Sequence, residues 1–280
     1  MFESRQRIDK VAIVGENSFI GRSFKKLSRH PSAKFVSNLE GYRDVLYCIG
    51  GFGDGFGTKS MSNLLFSNVI EPVKFLEEHK EKRIIFNFLS SYFVYGDSNR
   101  PYQESSALNP VSFYGRSKAF SEKNIISFCE NYQIPFRIFR VCNVLGVDDN
   151  KISTSRNSIQ YLIKQIVNNQ NVEVLNAQTF IRDFIFIEDL IGVLDLVLDR
   201  VEESTNSVYN VGNGVPIKVV ELLVLIKEMA GSKSRIKVLN SSLIKEVSEA
   251  YNDIYKISQL GYTSTSILED SRLRLFLSKQ

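Results

Sequence analysis

A chain of 280 residues with 35 Lys and Arg against 31 Asp and Glu carries a net charge of +4, and 43% of it is hydrophobic. That composition belongs to a globular protein able to bury a large core, as one domain or with a smaller lobe. No run of Lys or Arg marks a nucleic-acid groove, no apolar run nears the ~20 residues of a membrane span, and the two histidines, His30 and His79, lie in polar helical surroundings with no metal-ligand spacing. Cys48, Cys129 and Cys142 are odd in number and lack C-x-x-C spacing; Cys48 and Cys142 sit in apolar runs and read as small buried hydrophobes. The charged opening stretch MFESRQRIDK reads as lacking a signal peptide, and a reducing cytoplasm fits the whole.

In chain order, KVAIVG (10–15) is a β-branched run ending at glycine and predicts a buried parallel strand. Phe19, Ile20, Phe24 and Leu27 then keep helical spacing until Pro31. KFVS (34–37) and RDVLYCIGG (43–51) predict the second and third strands, and a helix follows over about 60–81. RIIFNFLSS (83–91) predicts a strand, residues 112–132 a helix, and PFRIFRVCNVLG (135–146) another buried strand. The second half is mixed: a helix near 155–169, a strand at 171–175, and RDFIFIEDLIGVLDLVLDRV running from strand into helix. After VYNVGNG come a helix at 216–231, the short strand RIKVL and a final helix. This alternation predicts an α/β fold, a Rossmann-like doubly wound parallel sheet with a smaller interwoven C-terminal lobe. The sheet domain is expected over 1–146, with 179–203 returning to it, and the substrate lobe over 147–178 and 204–280.

Three places carry chemistry. Gly15, Ser18 and Gly21, spaced by three, stand where a strand opens into a helix and backbone N–H groups approach a pyrophosphate; Phe19 and Ile20 lie between them. The acid expected after the second strand for an adenosine ribose is missing, and Arg22 follows Gly21, which favours NADP(H) over NAD(H). Ser90 and Ser91 end a strand at the edge where parallel sheets bind ligands. Tyr114 and Lys118 are one helical turn apart, so the ammonium lies beside the phenol and favours its phenolate form. A tyrosine so placed can exchange a proton with a carbinol oxygen.

The segments GENSFIG, DVLYCIGG, SSYFVYG, NPVSFYGRSK, RVCNVLG, RDFIFIEDL, YNVGNG and LGY follow one another along nearly the whole chain. In this order and spacing they resemble an extended short-chain dehydrogenase/reductase of the nucleotide-sugar epimerase/dehydratase group. The resemblance implies that Ser91 and Tyr114 act on the substrate oxygen and that Lys118 holds the nicotinamide ribose. It implies that Arg182 binds the substrate's diphosphate, that Asn143 lies near the sugar diphosphate, and that Gly50 and Gly51 flank the cofactor's adenine-side diphosphate. It also implies a homodimer built by the helices near 60–80 and 114–131, for which Phe113, Phe120 and Phe128 supply apolar residues that belong equally well to the core.

Departures narrow the activity. Members that dehydrate carry Asp-Glu after the reacting hydroxyl, whereas Tyr92 and Phe93 follow Ser91 here; the 3,5-epimerising reductases carry Cys at the Tyr92 position. The chain is also short, with about a strand and a helix expected to be missing between KFVS and DVLYCIGG. These features favour a 4-ketoreductase of a nucleotide-4-keto-(6-deoxy)hexose, with a 4-epimerase that retains NAD as the alternative. A non-catalytic dinucleotide-binding regulator is the alternative of another class, against which the retained Ser91, Tyr114 and Lys118 speak. The glycine-rich loop Gly50–Gly57 has no simple counterpart and reads either as a cover over ligand or as a plain surface loop.

Overall fold

Val11, Ala12, Ile13 and Val14 are apolar without alternation, and all four are buried, as an internal parallel strand requires. Around this strand the computed structural model describes residues 10–34, 39–51, 61–147, 158–240, 247–268 and 270–280. The first half comprises β1 (Lys10–Val14), α1 (Phe19–Leu27), β2 (Ser32–Lys34), β3 (Tyr42–Tyr47), α2 (Met61–Leu65), a π-helical turn (Phe66–Ile70), α3 (Glu71–His79), β4 (Ile85–Ser91) and α4 (Phe113–Asn131). Next come β5 (Phe136–Val141), β6 (Asn143–Leu145), α5 (Ser158–Val167), β7 (Val172–Leu175), β8 (Ile181–Arg182), β9 (Phe184–Phe186) and α6 (Ile187–Asp199). The chain ends with α7 (Val201–Ser204), β10 (Ser207–Val211), β11 (Ile217–Lys218), α8 (Val219–Met229), β12 (Ile236–Leu239), β13 (Glu249–Ala250), α9 (Tyr255–Gln259) and α10 (Asp270–Leu277).

Six parallel strands form the central sheet in the order β2-β1-β3-β4-β5-β10. α1 and α6 cover one face through Phe24, Leu190 and Leu194; α3 and α4 cover the other through Phe75, Leu76 and Ile125. The chain steps from β1 to β2 in one direction and continues from β3 in the other. The crevice between the carboxyl ends of β1 and β3 is therefore the switch point at which such sheets bind ligands.

Two expectations are corrected here. The second strand, expected over 34–37, is described instead at Ser32–Lys34, and among the described residues neither a strand nor a helix stands between it and β3, as the short spacing to DVLYCIGG predicts. Leu39, 3% exposed, packs into the layer that α3 and α4 cover. The lobe boundary also moves: Ser207–Val211, assigned by sequence to the smaller lobe, is the edge strand of the central sheet beside β5. The predicted strand 135–146 breaks at Cys142, after which β6 leaves the sheet to pair with β9. That exit leads into a second core around Ile163, Leu222, Ile226 and Phe276, against the small sheets β11-β8-β13 and β12-β7.

Both histidines are buried, contrary to their polar sequence surroundings. His79 stacks on Phe75 at 4.4 Å between ring centroids, and His30 faces Asp199 at 3.2 Å. Among the described residues no helix is long and apolar enough to cross a membrane, and no cluster of His, Cys, Asp or Glu could hold a metal ion. At the amino ends of the strands, Arg137 of β5 lies wholly buried and donates from Nη1 to Asp44 Oδ1 at 2.7 Å and to Asn87 Oδ1 at 2.9 Å, and from Nε to Ser204 Oγ at 2.7 Å.

Candidate active site

The site begins where β1 ends. Gly15 adopts φ +90°, and a Cβ there would come within 2.9 Å of the Ile49 side chain, so a side chain would both strain the turn and push β1 from β3. Ser18 caps α1, its Oγ accepting from Gly21 N at 3.0 Å. The hydroxyl that stands in the middle small position is thus turned to the helix. A Cβ on Gly21 would lie 2.5 Å from Gly15 O, which explains glycine at the third position. The first turn of α1 holds no acidic side chain, leaving the positive end of its dipole to an external anion. Arg22 reaches back over the loop and donates to Asn17 O at 2.6 Å.

On the far side of the crevice β3 runs into Gly50 and Gly51. A Cβ on Gly50 would approach Lys118 Nζ at 3.1 Å and Asn68 Oδ1 at 3.2 Å, and one on Gly51 would approach Ser67 Oγ at 2.7 Å. Glycine at both positions keeps this wall thin enough for Lys118 to lie against the strand end. The remainder of the glycine-rich loop, residues 52–57, lies outside the described residues.

Lys118 is 4% exposed and donates from Nζ to Leu89 O at 2.9 Å. Burial lowers its pKa to about 8, partly opposed by Glu122 one turn further along α4. Tyr114 precedes Lys118 by one turn, as the spacing predicts, and its ring meets Phe93 edge-on at 5.8 Å. The two serines at the end of β4 separate by face. Ser90 donates to Glu122 Oε1 inside the core, and Glu122 also receives Arg140 Nη2 at 2.7 Å. Ser91 ends the strand, its Oγ accepting from Phe93 N at 3.3 Å. Ser91, Tyr114 and Lys118 thus converge on the carboxyl end of β4, beside the crevice.

The smaller lobe brings in the last two sequence-predicted residues. Arg182 ends β8 and donates from Nη1 to Ile181 O at 2.9 Å and Ser248 O at 2.8 Å, with its guanidinium 4.5 Å over the Phe180 ring. Asn143, first residue of β6, accepts from Tyr92 OH at 3.3 Å and donates to Asp183 O at 2.9 Å. The Asp183 carboxylate in turn accepts from Asn213 N at 3.0 Å and Gly214 N at 3.1 Å. Burial raises its pKa to about 7 against those hydrogen bonds.

Sequence reasoning missed Asn68. It is fully buried in the π-helical turn, takes Gly51 N on Oδ1 at 2.8 Å, and donates from Nδ2 to Gly51 O at 3.0 Å and Ser117 Oγ at 2.9 Å. It therefore ties the β3 exit to α4 beside Lys118. The available signal was an amide beside Leu64, Leu65 and Val69 in a stretch that also carries Ser62, Asn63 and Ser67; its aim came from the π turn, which periodicity does not reveal. Glu122 and Arg140 were missed for a similar reason, since a charge in a helix or strand reads as a solvated face.

The fold defines a class: a parallel α/β protein with a dinucleotide-type crevice and a Ser-Tyr-Lys cluster beside it. Residues 33–212 match the NAD dependent epimerase/dehydratase family, and the chain belongs to it. It is 27% identical over 244 residues to an uncharacterized UDP-glucose epimerase of Bacillus subtilis, covering 85% of this chain and 75% of that protein. It is 26% identical over 229 residues to the dTDP-4-dehydro-6-deoxyglucose reductase of Escherichia coli, covering 79% and 69%. The UDP-N-acetylglucosamine 4-epimerase of Methanobrevibacter ruminantium shares the fold at a TM-score of 0.84, with 20% identity and 98% of each chain covered.

Proposed function

We propose that the protein is an NAD(P)-dependent oxidoreductase that reduces a nucleotide-diphosphate 4-keto-(6-deoxy)hexose at C4. The observation that carries this reading is the convergence of Ser91, Tyr114 and Lys118 at a sheet edge where the next two side chains, Tyr92 and Phe93, are aromatic. No carboxylate follows Ser91 to expel a hydroxyl or to abstract a proton from carbon, which leaves chemistry at a single carbon–oxygen centre.

Gly15, Ser18, Phe19, Ile20, Gly21, Gly50 and Gly51 fit a dinucleotide: the glycines thin both walls of the crevice and the bare end of the α1 dipole suits its phosphates. Arg22, held over the loop by Asn17 O, suits a 2′-phosphate and favours NADP(H), and residues 35–38 carry no acid to pair with a free ribose. A nicotinamide dinucleotide supplies the hydride exchanged with the sugar carbon. Tyr114 donates the proton to the C4 oxygen, and Ser91 hydrogen-bonds the same oxygen. Lys118 holds the ribose hydroxyls and, while charged, keeps the phenol acidic. Arg182 clamps the diphosphate, and Asn143 lines the sugar's path.

The likeness to a UDP-glucose epimerase keeps a second reading, a 4-epimerase with retained NAD. A panel of nucleotide-4-ketohexoses with NADPH decides between them. Stoichiometric loss of NADPH absorbance supports the reductase. Co-purified NAD with interconversion of C4 epimers and no net consumption replaces it with the epimerase.

The exposed apolar side chains Met61, Leu65, Phe66 and Ile70, between 41% and 65% accessible, form one stripe beside Phe120 of α4, itself 55% accessible. This stripe supports a homodimer through the α2 and α4 faces; Phe113 and Phe128, half-buried, belong more to the protein's own packing. The double change Phe66→Glu and Phe120→Glu is expected to give a monomer by light scattering on a column with unchanged circular dichroism. A wild-type monomer would remove the proposal.

A further inference from the structure

We propose that Asp183 is a positioning residue for the diphosphate end of the substrate: it holds Arg182 and Asn143 together against the carboxyl end of the central sheet. This rests on the reading of those two residues as contacts of a nucleotide-diphosphate sugar, and it gives a role to a side chain that is itself buried. Asp183 is 1% exposed and lies between β8, which ends at Arg182, and β9, which starts at Phe184. Its main-chain oxygen accepts from Asn143 N at 3.3 Å and from Asn143 Nδ2 at 2.9 Å, and its own N–H donates to Ala250 O at 3.1 Å. Its carboxylate accepts from Asn213 N on Oδ1 at 3.0 Å and from Gly214 N on Oδ2 at 3.1 Å. One residue therefore ties the strand that carries Arg182 to the start of β6, to β13 and to the turn that follows β10.

The negative charge is the working part of this tie. Two successive main-chain N–H groups, with Gly214 at φ +70°, form an anion-holding nest, and the protein's own carboxylate fills it. Gly212 closes over the same oxygen: a Cβ there would run into Asp183 Oδ2, so the turn sits directly on the carboxylate. A neutral acid or an amide at 183 turns one acceptor into a donor that faces a main-chain N–H, which leaves that N–H unpaired and the turn loose. Burial, opposed by the main-chain hydrogen bonds, raises the Asp183 pKa to about 7, so the charge is present above that pH and lost below it. Among the described residues, Cys142 at the break between β5 and β6 and Tyr262 beyond α9 are the titratable groups coupled to it, and burial raises both away from the neutral range. Asp189 of α6 and Arg272 of α10 act on Tyr262 and are joined to each other at 2.8 Å. Protonation of Asp183 therefore slackens Arg182 and Asn143 together, and nucleotide-sugar binding weakens in mild acid.

The test is calorimetric and does not depend on turnover. With saturating NADP+ or NAD+, whichever binds, the protein is titrated with UDP-, dTDP- and CDP-glucose, whose diphosphates keep a constant charge near neutrality. For whichever base binds, the wild-type dissociation constant is expected to rise about fourfold between pH ~7.5 and pH ~6. Asp183→Asn, which copies the neutral acid, is expected to bind about 10-fold more weakly at pH ~7.5 and to show no change down to pH ~6, with cofactor affinity and circular dichroism as in wild type. A wild-type affinity that is flat over this window overturns the proposal without any variant, so a variant that fails to fold does not decide the matter. A folded Asp183→Asn protein with wild-type affinity, with the wild-type pH dependence, or with cofactor affinity lost in parallel also overturns it. The expected pH dependence without NADPH consumption on nucleotide-4-ketohexoses leaves Asp183 standing and removes the reductase reading. Absence of binding by every nucleotide sugar overturns both.

Discussion

Tyr114→Phe is expected to lower turnover by roughly 10²–10⁴-fold while nucleotide-sugar binding stays within a few-fold of wild type. The reason is positional. The phenol stands one turn before Lys118 and its ring is braced by Phe93, so removing the hydroxyl deletes the proposed proton donor and leaves the ring packing intact. Lys118 adds a pH signature. Its pKa is lowered to about 8 by burial, so the ammonium proposed to assist Tyr114 is present below that pH and lost above it. Turnover in wild type should therefore fall as pH rises through about 8. Lys118→Met should already lack the charge at neutrality and show a flat, low profile across the same window. Stopped-flow turnover with binding measured separately reads both effects. Near-normal turnover in Tyr114→Phe would remove the proton-donor assignment.

The largest effect on stability is expected far from the site, in the ion pair beneath the sheet. Asp44 and Arg137 are 1% and 0% exposed, and their contact is 2.7 Å. Desolvation lowers the arginine pKa while Asp44 raises it, and Nη2 of Arg137 has no hydrogen-bond partner among the described residues. The carboxylate is what holds a buried cation in place. Asp44→Ala should therefore cost about 3–5 kcal/mol and lower the melting temperature by roughly 10 °C. Arg43, which also donates to Asp44 at 2.6 Å, loses its partner too. Asp44→Leu combined with Arg137→Met should recover most of the loss, because replacing a buried pair by apolar groups of similar volume is often neutral. Thermal unfolding of the single and double variants measures this. A single-variant loss below about 1 kcal/mol would show that the cation is relieved by other means. Because the pair lies at the amino ends of the strands, the folded Asp44→Ala enzyme should keep its KM.

What the amino-acid sequence determined by itself was local and periodic. Apolar strands ending in glycine, helices at a repeat of 3.6 residues, and the spacing of Tyr114 and Lys118 follow from rules acting over a few residues, and they placed the α/β fold, the Gly15–Gly21 turn and the one-turn pairing of Tyr114 with Lys118. The absence of a carboxylate after Ser91 was equally legible, because it is a matter of residue type alone. Other features depended on where distant segments meet. Ser90 and Ser91 look alike in the chain; only the alternation of β4, with Glu122 beneath one face, separates a core hydrogen bond from a site hydroxyl. Asn68 reads as a polar residue on a helix until the π turn directs it at Gly51 and Ser117. β10 looks like part of the smaller lobe because it follows that lobe's segments, yet pairing with β5 returns it to the central sheet. Hydrogen-bond partners and buried charge pairs are settled by three-dimensional proximity, to which sequence separation gives no guide: Arg137 and Asp44 are 93 residues apart and in contact. Phe93, Ser112, Arg182 and Ala250, which line one small cavity, are of the same kind, since they come from the β4 exit, the approach to α4, the end of β8 and the end of β13.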